Sequence, residues 1–198
     1  MGPCASIVLP SSLSSNQLAT INDALDRIGD TPTYASQMLD LWINDTGPIG
    51  GSYAGEGRPF CVTPHTLNQS GKETDLSADE LSQVQAEFDF TPQFIIDVSA
   101  NCNGDEDHRI LAEVCHYFAS SFAGVVNFNG AILPREPALY NQAWPKIEPS
   151  FSLMVADLPP KIVSVPYITI SGRAWVTHFC TPDFLKAWLS HPAFRMIK

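Results

Sequence analysis

The sequence predicts a single α+β domain over residues 1–198, with a mixed, mainly antiparallel sheet and helices packed mostly on one of its faces. Three observations support this fold class. A strand–helix–strand pattern occupies residues 93–133, further strand and helix patterns run from the first segment to the last, and 44% of the 198 residues are hydrophobic. A chain of this size and composition can bury one sizeable core.

The unit at 93–133 is the best-specified local structure. Residues 93–100 are rich in β-branched and aromatic side chains, which predicts a strand. We expect Asp107 to cap the helix that follows and Gly124 to end it in a left-handed conformation. Residues 125–133 then predict a second strand. One face of the helix collects its apolar residues, which are Ile110, Leu111, Val114, Cys115, Phe118 and Phe122.

The first elements repeat the strand–helix order. Residues 5–10 predict a strand, and residues 16–29 predict an amphipathic helix that ends at Gly29. The apolar run at 34–43 is too short for its period to decide between helix and strand.

The next segments are polar and rich in glycine. Residues 46–58 contain five glycines, and we expect a flexible loop that lacks the spacing of a phosphate-binding loop. Residues 60–63 predict a short strand. Residues 75–88 predict a well-exposed helix with acidic residues in its first turn.

The C-terminal third changes character. Residues 134–149 form a proline-rich connection in which we expect no helix to persist, and residues 151–158 predict a strand. Residues 161–170 and 174–180 predict a hairpin, followed by a helix that Thr181 caps and Pro182 begins.

The charge of the chain is unevenly distributed. The net charge is −10, but residues 1–107 carry −13 and residues 108–198 carry +3. Ten acidic residues and no Lys or Arg lie between Glu73 and Asp107. Such a field disfavours nucleic acid and membrane surfaces as ligands. It favours a basic partner, or serves only solubility.

The compartment follows from what the sequence lacks. No apolar run reaches the length of a membrane-spanning helix, and the first ten residues do not resemble a secretory signal. The five cysteines are odd in number and widely spaced, which argues against a disulfide framework and a zinc module. We expect a cytoplasmic protein with reduced thiols.

Cysteine and histidine supply two candidate nucleophile–base pairs, Cys61 with His65 and His178 with Cys180. Either pair would need a third group to orient the base and an oxyanion site, and the sequence identifies neither. No metalloprotease, serine hydrolase or nucleotide-binding motif is present. We therefore expect a protein that is not an enzyme and uses no cofactor.

The acidic turn 105–107 has two further interpretations. Its carboxylates would favour the charged form of the adjacent His108, which would suit acid–base work, although a surface histidine is the simpler interpretation. Clustered carboxylates also suit Ca²⁺, but no glutamate stands where the twelfth position of an EF-hand loop would require one. We expect a solvated turn that caps the helix and holds no metal.

Three segments carry a family resemblance: DHRILAEVCHYFASSFAGVVNFNGAILP at 107–134, HFCTPDFLKAWLSHPAFRMIK at 178–198 and the opening GPCASIVLP. Together they resemble an uncharacterised bacterial family of acidic proteins of about this length. Proteins of this type are similar to immunity proteins of bacterial toxin systems, which bind and block a cognate toxin. The resemblance transfers no functional residue.

The leading hypothesis is a cytoplasmic immunity protein that occludes a basic toxin, such as a nuclease, through an acidic surface. The alternatives are a small hydrolase or transferase with an unidentified Cys or His site, and a ligand-binding regulatory module that uses residues 46–58. The sequence leaves the oligomeric state open. The acidic residues expected at the partner interface are Asp75, Asp79, Glu80, Asp105, Glu106 and Asp107.

Overall fold

A computed structural model describes residues 2–30, 33–35, 38–67, 76–139, 142–159, 161–169 and 172–197. Its strands are β1 (Cys4–Leu9), β2 (Thr33–Ala35), β3 (Met38–Asp45), β4 (Ala54–Thr66), β5 (Phe94–Ala100), β6 (Val125–Asn127), β7 (Ile162–Ile168) and β8 (Ala174–Cys180). Its helices are α1 (Ser15–Ile28), α2 (Ala78–Phe88), α3 (Asp105–Ser121), α4 (Trp144–Met154) and α5 (Pro182–Leu189).

The eight strands form one sheet in the order β2-β3-β4-β5-β1-β6-β8-β7. Every neighbouring pair in the described residues is antiparallel, so the sheet is antiparallel throughout rather than mixed. The expected strand–helix–strand unit is present as β5-α3-β6. Its two strands are not neighbours, because β1 lies between them and pairs with both.

The two faces of the sheet are covered unequally, which confirms a single-domain α+β fold with most helices on one face. Ile7 of β1 belongs to the main core, which also contains residues of α1, α3, α4 and α5. Val8 points to the other face, because consecutive strand residues alternate. There it packs in a smaller cluster with Val84, the one buried residue of α2.

The sequence-based prediction for residues 134–158 is wrong, because part of this segment is helical. Residues 144–154 form α4, which replaces both the expected connection and the expected strand at 151–158. Trp144, Ile147 and Phe151 are spaced by three and four residues, and all three are buried. Burial of this apolar stripe offsets the cost of about 3 kcal/mol that Pro149 imposes inside the helix.

The segment 34–66 contains more strand than expected. The undecided apolar run forms β2 and β3, which pair with each other antiparallel. The expected loop at 46–58 holds a short 3-10 turn at Gly47–Ile49, and its last five residues already belong to β4. β4 has thirteen residues, far longer than the predicted strand at 60–63, because it pairs with β3 on one side and β5 on the other.

Both expected ends of α3 are also corrected. The cap residue is Gly104, and Asp107 lies within the first turn. At the other end Ala123 adopts the left-handed conformation, with φ 52°. Gly124 is required for a different reason, because a Cβ there would lie 2.7 Å from the Val8 carbonyl oxygen. The strand expected at 125–133 ends at Asn127.

Candidate functional site

The fold separates the acidic residues expected at the partner interface into two groups. Asp79 and Glu80 lie in the first turn of α2, and the acids 105–107 lie in the first turn of α3. These helices pack on opposite faces of the sheet. Asp75 lies outside the described residues. The structure therefore does not join the expected residues into one surface.

Helix α2 is an exposed acidic helix. Ser77 caps it by accepting a hydrogen bond from the Glu80 N–H, and the Glu80 carboxylate accepts one from the Ser77 N–H at 2.8 Å. Both ends of the helix are negatively charged, since Glu87 lies in its last turn and Asp89 at its C-cap. The helix contains no Lys or Arg. The helix dipole explains acids at the first turn but disfavours those at the last.

A cleft of about 430 Å³ opens between α2 and the β7–β8 hairpin. The sheet supplies its polar floor, the start of α2 supplies one wall, and the end of β7 supplies an aromatic and aliphatic rim. The residues that define these three parts are Ser6, Asn127, Thr177, Glu80, Tyr167 and Ile168.

The floor of this cleft is hydrogen-bonded across the sheet. The Ser6 hydroxyl donates to the Asp97 carboxylate at 2.5 Å, and the Asn129 amide donates to the Ser6 hydroxyl at 3.1 Å. The Thr177 hydroxyl donates to Asn127 Oδ1 at 2.8 Å, and that oxygen also accepts from the Asn129 N–H. The hydroxyls and amides of this group line the cleft and can exchange hydrogen bonds with a polar partner.

Sequence reasoning missed this floor, although a partial signal exists. Ser6 alternates with apolar neighbours in β1, and Asp97 does so in β5. Polar residues at alternate positions normally indicate a solvated sheet face. The register that pairs Ser6 with both Asp97 and Asn127 joins residues 91 and 121 positions apart, which no local pattern encodes.

Asp107 is a buried ion-pair residue rather than part of a solvated turn. Its carboxylate accepts from Arg58 Nε at 2.8 Å, from Arg58 Nη2 at 2.6 Å and from the Gly104 N–H at 2.6 Å. Burial raises the pKa of this carboxyl, but Arg58 and the Gly104 N–H outweigh burial and hold the pKa below its ordinary value. This carboxylate is therefore already engaged within the protein.

Asp105 and Glu106 line a second cleft, of about 470 Å³, between the start of α3 and the segment that follows α5. Three arginines line the same cleft, namely Arg109, Arg135 and Arg195. Helix α2 is better suited than this cleft to serve as an acidic contact surface, because the two acids of the cleft lie among three arginines.

The two cysteine–histidine pairs are not arranged as nucleophile and base. His178 is buried and stacks on Phe151 at 4.4 Å, and its Nδ1 accepts a hydrogen bond from the Ile132 N–H at 2.8 Å. Burial lowers the pKa of His178 to about 3 and raises that of the buried Cys180 thiol well above its ordinary value. Both side chains serve the core.

Cys61 and His65 point to the same face of β4, but each contacts Thr63 instead of the other. The Cys61 sulfur lies 3.7 Å from the Thr63 hydroxyl, and His65 Nδ1 lies 3.3 Å from the Thr63 carbonyl oxygen. Burial raises the pKa of the Cys61 thiol, which disfavours the thiolate that nucleophilic attack needs.

The glycine-rich segment is fixed to α3. Glu113 is buried, and its carboxylate accepts hydrogen bonds from the Thr46 hydroxyl, the Ser52 hydroxyl and the Ser52 N–H. Gly51 lies against this contact, where a Cβ would come within 2.5 Å of Glu113 Oε2. Residues 46–53 are thus held in place rather than free to close over a ligand.

The described ranges hold no group of three or more His, Cys, Asp or Glu side chains that could bind a metal ion. Over the same residues, no helix combines the length and the apolar composition that a membrane crossing requires.

Residues 1–198 match the model of a protein family described as Family of unknown function (DUF6368), and the chain therefore belongs to this family. This confirms the part of the sequence resemblance that pointed to an uncharacterised family. No curated protein and no solved structure matches the chain.

Proposed function

We propose that this member of the family is a binding protein that neutralises a cognate basic protein toxin by occluding its active site. A toxin-producing cell needs such an immunity protein in its cytoplasm. The observation that carries the proposal is the exposed helix α2, with four acids in residues 78–89 and no base. Local structure explains Asp89, which adopts the left-handed C-cap conformation that aspartate tolerates. It does not explain Glu87, which lies in the last turn, where the helix dipole disfavours negative charge.

The contact surface that we propose consists of α2 and the cleft beside it. A complementary charge pattern would steer a basic partner toward α2 and raise the association rate. The polar floor of the cleft, around Ser6 and Asn127, offers hydrogen-bonding groups to the partner's backbone or side chains. Tyr167 and Ile168 add exposed apolar area at its rim.

The first experiment is capture of partners by the full chain from its source cells, at low and at high salt, with identification by mass spectrometry. We expect one stoichiometric partner, released by salt and toxic when expressed alone. Only weak and heterogeneous partners at both salt concentrations would contradict the proposal.

A charge-removal variant then tests the surface. Its four substitutions preserve the capping hydrogen bonds and the left-handed C-cap: Asp79→Asn, Glu80→Gln, Glu87→Gln and Asp89→Asn. A control variant removes the same charge from exposed acids elsewhere: Asp23→Asn, Asp26→Asn, Glu148→Gln and Asp157→Asn.

We expect slower association and a weaker salt dependence for the α2 variant than for the control. Equal association rates for the two variants would place the interface away from α2.

A further inference from the structure

The second cleft carries an unusual set of cations for an acidic protein. It lies between the first turns of α3 and the segment 189–195, and encloses about 470 Å³. Arg109 comes from α3, Arg135 from the connection after β6, and Arg195 from the C-terminal segment. The chain has six arginines, and the fold brings three of them to one cleft from distant positions.

Within the described residues, none of these arginines has a carboxylate partner. Among the described residues, no carboxylate oxygen lies within 4.0 Å of their guanidinium nitrogens, in contrast to the Arg58–Asp107 pair. Each donates a longer hydrogen bond to an uncharged group: Arg109 to the Ser52 hydroxyl at 3.4 Å, Arg135 to the Phe194 carbonyl at 3.2 Å, and Arg195 to His108 at 3.3 Å. Three like charges in one cleft repel unless an anion lies between them.

Two hydrogen-bond donors point at the His108 ring, and the ring can accept from only one of them. The Met196 N–H points at Nδ1 of His108 at 3.2 Å, and Arg195 Nε–H points at its Nε2 at 3.3 Å. A neutral imidazole accepts at one nitrogen only, so one of these two donors has no acceptor on the ring. The Met196 N–H is the more buried of the two donors, since Met196 is 2% exposed and Arg195 is exposed, and leaving a buried donor unsatisfied is costly. The ring therefore accepts from Met196 and leaves Arg195 Nε–H available to another acceptor.

His191 adds another donor to the cleft wall. Its Nδ1 accepts from the Ala193 N–H at 3.1 Å, so the neutral ring carries its proton on Nε2. Stacking on Trp188, with ring centroids 4.9 Å apart, fixes the orientation of this ring. Asp105 and Glu106 also line the cleft, but their two negative charges leave the three arginines in excess.

We propose that this cleft binds a small oxyanion, carried by a phosphate ester or a carboxylate, through Arg109, Arg135 and Arg195. The planar guanidinium fork matches the paired oxygens of both groups. An anion there would relieve the repulsion among the arginines and accept the donor that His108 cannot. Nucleic acid is not the expected source, because the protein as a whole carries a charge of −10.

This inference is independent of the proposed function, since α2 and the arginine cleft lie on opposite faces of the sheet. The test titrates the full chain calorimetrically with inorganic phosphate and, separately, with succinate. A chloride series of equal ionic strength serves as the reference. We expect saturable binding of one or both oxyanions beyond the chloride reference, and their relative affinity identifies the preferred group. Failure of both to exceed chloride would overturn the proposal.

Variants distinguish the cleft from general surface charge. Arg109→Gln and Arg135→Gln change exposed side chains, so both proteins should fold, as circular dichroism would verify. Each should weaken oxyanion binding about tenfold or more, because a charge-assisted hydrogen bond is lost.

Arg135→Lys should weaken oxyanion binding less than Arg135→Gln does, because lysine keeps the positive charge but not the planar guanidinium fork. The matched control is Arg27→Gln on α1, an exposed side chain whose Nε donates to the Asp23 carbonyl oxygen of the same helix. Equal affinity in Arg27→Gln, Arg109→Gln and the unaltered protein would overturn the assignment.

Discussion

Arg58 and Asp107 form a two-point ion pair that fastens α3 to β4. The Asp107 side chain is fully buried, whereas that of Arg58 is 29% exposed. The same carboxylate accepts the Gly104 N–H, so one side chain both closes the first turn of α3 and joins the helix to the sheet. The most buried acid of the acidic turn is thus a structural residue, and its neighbours Asp105 and Glu106 remain exposed.

Asp107→Asn should destabilise the fold by about 3 kcal/mol, because it leaves a buried guanidinium contact without its counter-charge. This value is at the low end for buried pairs, since water reaches part of Arg58. Urea unfolding at pH 7 measures the change. Asp105→Asn, an exposed substitution two residues earlier in the same turn, is the control and should alter stability by no more than about 0.5 kcal/mol. Equal effects of the two substitutions would contradict the structural role.

The same pair predicts a pH dependence. The pKa of Asp107 is lowered in the folded protein, so the stability it contributes is present above the unfolded carboxyl pKa of 3.8. That stability is lost as the pH falls through the lower folded value. The stability difference between the unaltered protein and Asp107→Asn should therefore be constant above about pH 5 and shrink on acidification below about pH 4. A difference that persists unchanged at pH 2 would argue against an ionised Asp107.

The success of the sequence-based prediction depended on whether the decisive contacts were local. The α5 start was predicted because Thr181 caps the helix and Pro182 occupies its first position, both within a few residues. Helix α4 was missed because its stability comes from Trp144 and Phe151 packing on the core, which outweighs the local cost of Pro149.

The candidate sites depended even more on distant contacts. Asp107 is paired with a residue 49 positions away, and a charged residue in a polar turn is ordinarily exposed. The arginine cleft joins residues from 109 to 195, so their proximity appears only once α3 and the C-terminal segment are packed together. The acidic character of α2 was visible in the sequence because it lies within one short stretch.

His178 should make the protein less stable in mild acid. Burial lowers its pKa to about 3 in the folded state, against 6.5 in the unfolded chain. Between these values the unfolded chain binds a proton that the folded protein does not, so stability falls with decreasing pH by up to about 1.4 kcal/mol per unit. His178→Gln should remove that contribution from the slope measured by urea unfolding. Proton NMR offers a direct check, since a His178 ring that titrates near pH 6.5 in the folded protein would contradict it.

The five cysteines should differ in reactivity. Cys102 is exposed, whereas Cys115 and Cys180 are fully buried, and burial raises the pKa of both buried thiols. Iodoacetamide at pH 8 should modify Cys102 first and leave the two buried thiols intact until urea unfolds the chain. Peptide mass spectrometry over a time course resolves each site. Early modification of Cys180 would restore it as a candidate nucleophile.

Glu113 should decide whether the segment 46–53 stays ordered. Its carboxylate takes three hydrogen bonds from Thr46 and Ser52. In Glu113→Ala the buried Thr46 hydroxyl would lose this short contact and keep the longer one, 3.3 Å, to the Tyr53 carbonyl oxygen. We expect the free energy of unfolding to fall by about 1–3 kcal/mol, because hydrogen bonds to a charged group are lost at a buried site. The segment should also exchange its amide hydrogens faster, as mass spectrometry of deuterium uptake would measure.

Gly51→Ala should disturb the same contact from the opposite side, because its Cβ would enter the space between Thr46 and Glu113. Glu136→Ala, an exposed substitution after β6, is the control and should leave the uptake at 46–53 unchanged. If Glu113→Ala and Gly51→Ala left that uptake unchanged as well, the hydrogen bonds to Glu113 would not be what orders the segment. The pairing of β4 with β3 would then be what holds the glycine-rich residues in place.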